Sequence, residues 1–124
     1  DITGFGLAGH SLEMARGSKV RIELRYRDIP FMSGARAMYE RGMSTGSNVS
    51  NRALSEPDMD IRASLQPAQT ELLFDPQTNG GLLLAVDASV VEALVRDLRA
   101  AGVADAACIG HAVASGDGTH LVID

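Results

Sequence analysis

Six residues near the start, Gly4-Phe5-Gly6-Leu7-Ala8-Gly9, have the G-x-G-x-x-G spacing with which a dinucleotide-binding turn brings its backbone against a pyrophosphate. That turn needs a strand to deliver it, and here only Asp1, Ile2 and Thr3 precede Gly4. An acid at roughly the right distance downstream exists, Glu23 or Asp28, but it lies in or just after an amphipathic strand. The spacing therefore argues against a dinucleotide site and leaves two other readings. Either the glycines open a helix N-terminus whose free N–H groups favour an anion, or Gly6 and Gly9 let a helix pack closely on its neighbour. Asp1, just ahead of the loop, is an oxygen donor of the kind Mg²⁺ shares with substrate phosphates. One carboxylate does not make a metal site, and Asp58 and Asp60 fall in a polar stretch where solvated acids are the default.

A second glycine loop, "FDPQTNGG", spans residues 74–81. Asn79-Gly80 has hairpin-turn chemistry, but the segment before it is helical in pattern, so the loop reads as a helix-to-strand connection. Thr78, Asn79 and the Gly80 and Gly81 amides could line a cleft, or the loop is a structural turn. His10, His111 and His120 show no metal-ligand spacing and read as structural or exposed. Cys108, between alanine and isoleucine in an apolar segment, reads as a small buried hydrophobe. No nucleophile elbow, Walker A sequence or H-E-x-x-H is present, so the local chemistry contains no complete catalytic apparatus.

The bulk numbers bound what these residues can serve. The 124 residues suffice for one domain with one core. Net charge is −5 with no Lys/Arg cluster, which argues against nucleic-acid or anionic-membrane partners. No apolar run approaches the roughly 20 residues of a membrane span. The single cysteine excludes an internal disulfide and fits a reducing compartment. There is no secretory pattern and no initiator Met, so the chain is expected to be processed or to be a piece of something longer.

Periodicity supplies the elements that must hold the candidate residues. Residues 6–16 read as a helix with Thr3 as a possible N-cap, closed at Gly17. Residues 19–27 alternate apolar and charged, a half-buried strand. Ser33 can cap a short helix over 34–41. Residues 43–60 are loop-like, and the sequon Asn48-Val49-Ser50 within them is read as chance. Pro67 suits the first turn of a helix through Phe74. Residues 82–86 read as a fully buried strand. Ser89-Val90-Val91-Glu92 has the form of a capping box ahead of a helix ending at Gly102. Residues 108–114 and 120–123 read as strands joined in a hairpin by Ser115-Gly116-Asp117-Gly118. The predicted class is α+β: a mixed or antiparallel four-stranded sheet with helices covering at least one face.

Two stretches carry a family resemblance. "DITGFGLAGHSLEMA" resembles the D-[VI]-T-G-F-G-L-x-G-H-x-x-E-M-A motif of the C-terminal domain of selenophosphate synthetase (selenide, water dikinase), and "LLFDPQTNGGLLLAV" resembles its F-D-P-Q-T-S-G-G-L-L motif. "GSNVSNR" loosely resembles a loop the family carries between them. The resemblance covers nearly the whole chain and implies the fold of the aminoimidazole ribonucleotide synthetase superfamily. It implies an enzyme that uses ATP, Mg²⁺, selenide and water to make selenophosphate, AMP and phosphate. It also implies a cytoplasmic homodimer whose N-terminal domain holds most of the nucleotide site and the reactive Cys or selenocysteine with its Lys.

On that basis this chain is the C-terminal domain, inactive alone, which completes the Mg-ATP cleft. Cys108 and Lys19 do not match the catalytic pair. Asp1 matches the acid that helps bind Mg²⁺, and Thr3, Gly4, Phe5 and Gly6 match the loop behind it, on the nucleotide side of the cleft. Asn79 departs from the family's Ser. The alternatives are a related ATP-dependent synthetase or maturation factor of the same superfamily, against which "TGFG" and "DPQT" argue, or a non-catalytic α+β binding module.

Overall fold

The structure, a computed structural model, describes residues 1–116 and 118–124. Helix α1 (Gly6–Ser18) puts Leu7, Ala8, Ser11, Leu12 and Ala15 on one buried face. Their spacing of three and four is what a helix needs to seat one stripe on a sheet. The helix runs past Gly17 and closes at Lys19, the only described non-glycine residue with positive φ (54°). Strand β1 (Val20–Leu24) follows directly, with Ile22 and Leu24 buried beneath α1.

The sheet has four strands in the order β2-β4-β1-β3. β3 (Gly110–Ala114) pairs antiparallel with β1, with Leu24 opposite Gly110. β4 (Leu121–Ile123) pairs parallel with β1 on its other side and parallel with β2 (Met59–Ile61). All three β4 residues are buried, because this short strand has neighbours on both edges. Leu7, Leu12, Ile22, Leu24, Phe74 and Leu121 are members of one core cluster between helix and sheet. The opposite face of β1 is polar: Arg21 pairs with Glu23 at 2.7 Å, and Glu23 receives His111 at 3.2 Å. The α+β class and the four-stranded mixed sheet agree with expectation, but two of the strand assignments do not.

Residues 82–86 form no strand. Leu83 packs against the core, while Leu82, Leu84 and Val86 are 69, 53 and 44% exposed. An apolar run marks residues that prefer burial, but a strand forms only where a neighbour pairs with it. Residues 82–86 pair with no strand of the sheet, and the edge of β4 away from β1 is taken by Met59–Ile61, a segment expected to be loop. Main-chain bonds flank that pairing, from His120 N to Asp58 O and from Arg62 N to Ile123 O.

The expected hairpin is also absent. β3 and β4 lie on opposite sides of β1, so the connection must step across one whole strand, and a two-residue turn cannot do that. Asp117 of the expected turn lies outside the described residues.

The remaining helices are α2 (Ala35–Glu40), α3 (Gly46–Ser55), α4 (Pro67–Glu71) and α5 (Val91–Ala100). A 3₁₀ turn, Leu72–Phe74, continues α4 into the core. α3 replaces part of the expected loop: Thr45 and Asn48 form a reciprocal capping box that starts it. The box expected at Ser89 does not form. Asp87 caps instead, accepting from Ser89 N at 2.8 Å and Ser89 Oγ at 2.6 Å, so a 3₁₀ turn precedes α5. α5 has no fully buried residue.

Candidate glycine-loop site

The segment 1–5 reaches α1 as a turn with no strand ahead of it. Phe5, not Thr3, is the N-cap residue, and it supplies no side-chain cap. The Gly6 amide instead donates to Thr3 O at 3.0 Å, which closes the turn. Gly6 sits at φ +71°, and a Cβ there would lie 2.9 Å from Asp75 O and Phe74 C. A Cβ on Gly9 would fall 2.6 Å from Phe5 Cβ. Both spaced glycines therefore have a packing reason, and Gly6 is where the second glycine loop presses against the first.

Main-chain bonds tie the two loops together. Ile2 N donates to Gly81 O at 2.9 Å, and Gln77 N donates to Thr3 O at 3.0 Å. Gly80 lies so close to Ile2 O, 2.2 Å from where its Cβ would stand, that no side chain fits. Asp1, Thr3, Gly4 and Phe5 are exposed, as are Thr78 and Asn79, while Gly6 is buried. The Thr3 hydroxyl lies 3.0 Å from His10 Nε2, and His10 Nδ1 lies 2.8 Å from Glu13 Oε2. The Phe5 ring packs tilted on the imidazole, with centroids 5.5 Å apart.

Beneath the loops stands a polar cluster that the sequence reading did not single out. Asn51, 5% exposed, donates from Nδ2 to Gly4 O at 2.8 Å and to Phe74 O at 3.0 Å, clamping one loop to the other. Asn48, one helical turn earlier and 1% exposed, accepts from Thr45 Oγ1 at 2.9 Å and donates to Tyr39 Oη at 3.0 Å. The Tyr39 hydroxyl donates in turn to Asp75, in the second loop. Burial and that bond to a carboxylate push the Tyr39 phenol up to about 12. Arg52 pairs with Glu56 and Glu71 and lies 4.8 Å above the Phe74 ring. The signal was available: Asn48 and Asn51 are three apart, one face of a helix, but the polar composition of the segment pointed to a loop.

A cavity of about 180 Å³ opens between α1 and α3, lined by Phe5, Gly9, Glu13, Arg16 and Asn51 among others. Arg16 is paired with Asp58, and Asp60 with Arg62 at 2.7 Å, so both loop acids are engaged in ion pairs. His111 is exposed on β3, and His120 Nδ1 lies 3.2 Å from Val20 O. Cys108 is exposed, not buried: it precedes β3, and Arg25 Nη2 donates to its carbonyl at 2.7 Å. Among the described residues no group of three or more His, Cys, Asp or Glu could hold a metal ion, so no such group surrounds Asp1. Nor is any helix among them long and apolar enough to cross a membrane.

A four-stranded mixed sheet under α1, with two glycine loops locked edge to edge, places this chain in a defined class. Residues 1–123 match the family described as AIR synthase related protein, C-terminal domain, and the chain belongs to that family. Its relatives include the selenide, water dikinase of Clostridioides difficile (strain 630), 38% identical over 94% of this chain and 34% of that protein. That of Rhizobium meliloti (strain 1021) is 44% identical over 92% of this chain and 33% of its own length. That of Paraburkholderia xenovorans (strain LB400) is 41% identical over 99% and 34%. These relatives bear out the resemblance drawn from the two motifs. The chain spans about a third of the length of the curated relatives it matches.

Proposed function

We propose that this chain is one domain, the C-terminal domain of a longer two-domain selenophosphate synthetase, and that it completes the Mg-ATP cleft of an enzyme making selenophosphate, AMP and phosphate from ATP, selenide and water. The observation that carries this reading is the meeting of the two family-like motifs. Residues more than seventy positions apart are joined through Ile2–Gly81 and Thr3–Gln77, with Asp1 exposed at their edge. The other half of the cleft, with the reactive Cys or selenocysteine and its Lys, would come from the N-terminal domain of the same polypeptide.

Asp1 fits Mg²⁺ by its chemistry, an exposed oxygen donor that needs partners from elsewhere. Bound there, Mg²⁺ would neutralise and orient the ATP phosphates. Thr3, Gly4 and Phe5 would line the nucleotide side. Gly6 would hold the turn, since its buried backbone is where the second loop rests. The clamp from Asn51 would keep this wall rigid, so that the phosphates meet donors already in place. The whole enzyme is proposed to be a cytoplasmic homodimer.

The test is Asp1→Asn in the full-length protein. Selenide-dependent AMP formation should fall at least tenfold, on the scale of a lost charge-stabilising contact, with a raised Mg²⁺ requirement. Unchanged Mg²⁺ dependence would remove Asp1 from the site.

A further inference from the structure

Thr3, His10 and Glu13 form a side-chain relay at the exposed edge of the glycine loop, and the reading above gives His10 and Glu13 no role. His10 and Glu13, three apart, share one face of α1, and Thr3 meets His10 from the loop ahead of the helix. The imidazole side chain is only 17% exposed and is braced by Phe5, so its orientation is fixed. For a neutral imidazole, donor and acceptor accounting then assigns the protons of the relay. A carboxylate only accepts, so the 2.8 Å contact to Glu13 places the proton of neutral His10 on Nδ1. Nε2 is left as a bare acceptor, and the Thr3 hydroxyl, 3.0 Å away, must spend its only proton there. An exposed threonine whose hydrogen is committed inward offers only lone pairs outward, two residues from the exposed Asp1 carboxylate.

We infer that Thr3 is a further oxygen ligand on the Asp1 edge, for a divalent cation or a water bound to it, and that His10 and Glu13 are positioning residues that hold its hydroxyl in acceptor orientation. A hydroxyl that presents lone pairs suits a hard cation or the hydrogens of its water shell, and disfavours direct contact with a phosphate oxygen, which wants a donor. The Gly6 amide, the nearest helix-start donor, is already used by Thr3 O. Within the loop that lines the nucleotide, Thr3 is thus the residue that faces the cation of Mg-ATP and not its phosphate oxygens. The arrangement is a metal site's outer shell in miniature: a carboxylate orients an imidazole, which orients the ligand atom.

The inference rests on the reading of Asp1 as a cation ligand, and the experiment separates the two. Histidine-ring ¹H–¹⁵N correlation spectra of the full-length protein report the tautomer, and Mn²⁺ is then added as the probe. Neutral His10 is expected as the Nδ1–H form, and Glu13→Ala should shift it toward Nε2–H. Mn²⁺ should broaden the Thr3 signals together with those of Asp1. Thr3→Val should weaken Mn²⁺ binding about tenfold, the lower end for a residue tuning a metal site, and Thr3→Ser should restore it. An Nε2–H tautomer, or Mn²⁺ affinity unchanged in Thr3→Val, overturns the inference. Broadening of Asp1 without Thr3 overturns it while leaving the Asp1 reading intact. Broadening of neither overturns it as well, and the Asp1→Asn assay on the full-length protein then judges the Asp1 reading independently.

Discussion

Ser11 and Tyr39 show how one buried polar atom behaves with and without a partner. Among the described residues, Ser11 Oγ on the core face of α1 is the buried side-chain polar atom with no hydrogen-bond partner. An unmade bond in the core costs free energy, and alanine is the better helix former. Ser11→Ala is therefore expected to stabilise the chain by about 1 kcal/mol, read as a raised urea midpoint. Tyr39 is the contrary case, satisfied by Asp75 and Asn48. Its phenol is raised from 10.0 to about 12 in the folded chain. Between those values the unfolded chain has released a proton that the native chain keeps, so stability falls as pH rises through the window. Tyr39→Phe should lower stability at neutral pH by about 1 kcal/mol and flatten the decline above pH 10. Equilibrium unfolding at a series of pH values measures both. A decline of the same slope in the variant would assign it to other groups.

At the scale of elements, the two glycine loops are held by what lies under them. α3 matters less for its apolar contacts than for the two asparagines it aims inward from successive turns. Asn51 satisfies the carbonyls of Gly4 and Phe74 together, so its loss orphans both. Asn51→Ala should destabilise the chain by about 1–3 kcal/mol and raise amide exchange at residues 2–6 and 74–81 more than in β1 or β4. Uniform exchange across the chain would mean that the asparagine is an ordinary core residue and not a clamp. Gly6 and Gly80 belong to the same device, because each stands where a Cβ would strike the backbone of the other loop.

Under the proposed function, the whole molecule presents one wall of a site. Asp1, Thr3, Thr78 and Asn79 lie exposed, and no described cluster of acids or histidines could complete a metal centre around Asp1. Under the proposed function, most of the phosphate-binding groups belong to the rest of the polypeptide. The 124-residue chain by itself should show no micromolar affinity for Mg-ATP in titration calorimetry. Micromolar binding that Asp1→Asn abolishes would instead make this chain a complete nucleotide site.

Local pattern determined a good deal of this protein on its own. The 3.6-residue stripe from Leu7 to Ala15 set α1, the alternation of Val20, Ile22 and Leu24 set β1, and the two long motifs marked the family and the loops that meet. These features are legible because helix and strand faces are periodic, and because a tight turn restricts which residues it can hold. Pairing was decided only in three dimensions. The apolar run at 82–86 joined no strand, the segment 59–61 paired with β4, and β3 and β4 were parted by β1. A strand partner, a clamp such as Asn51 or a proton commitment such as that of Thr3 depends on atoms distant in the chain. Local composition carries no record of those atoms, so the tertiary structure alone fixes which hydrogen bonds each residue can make.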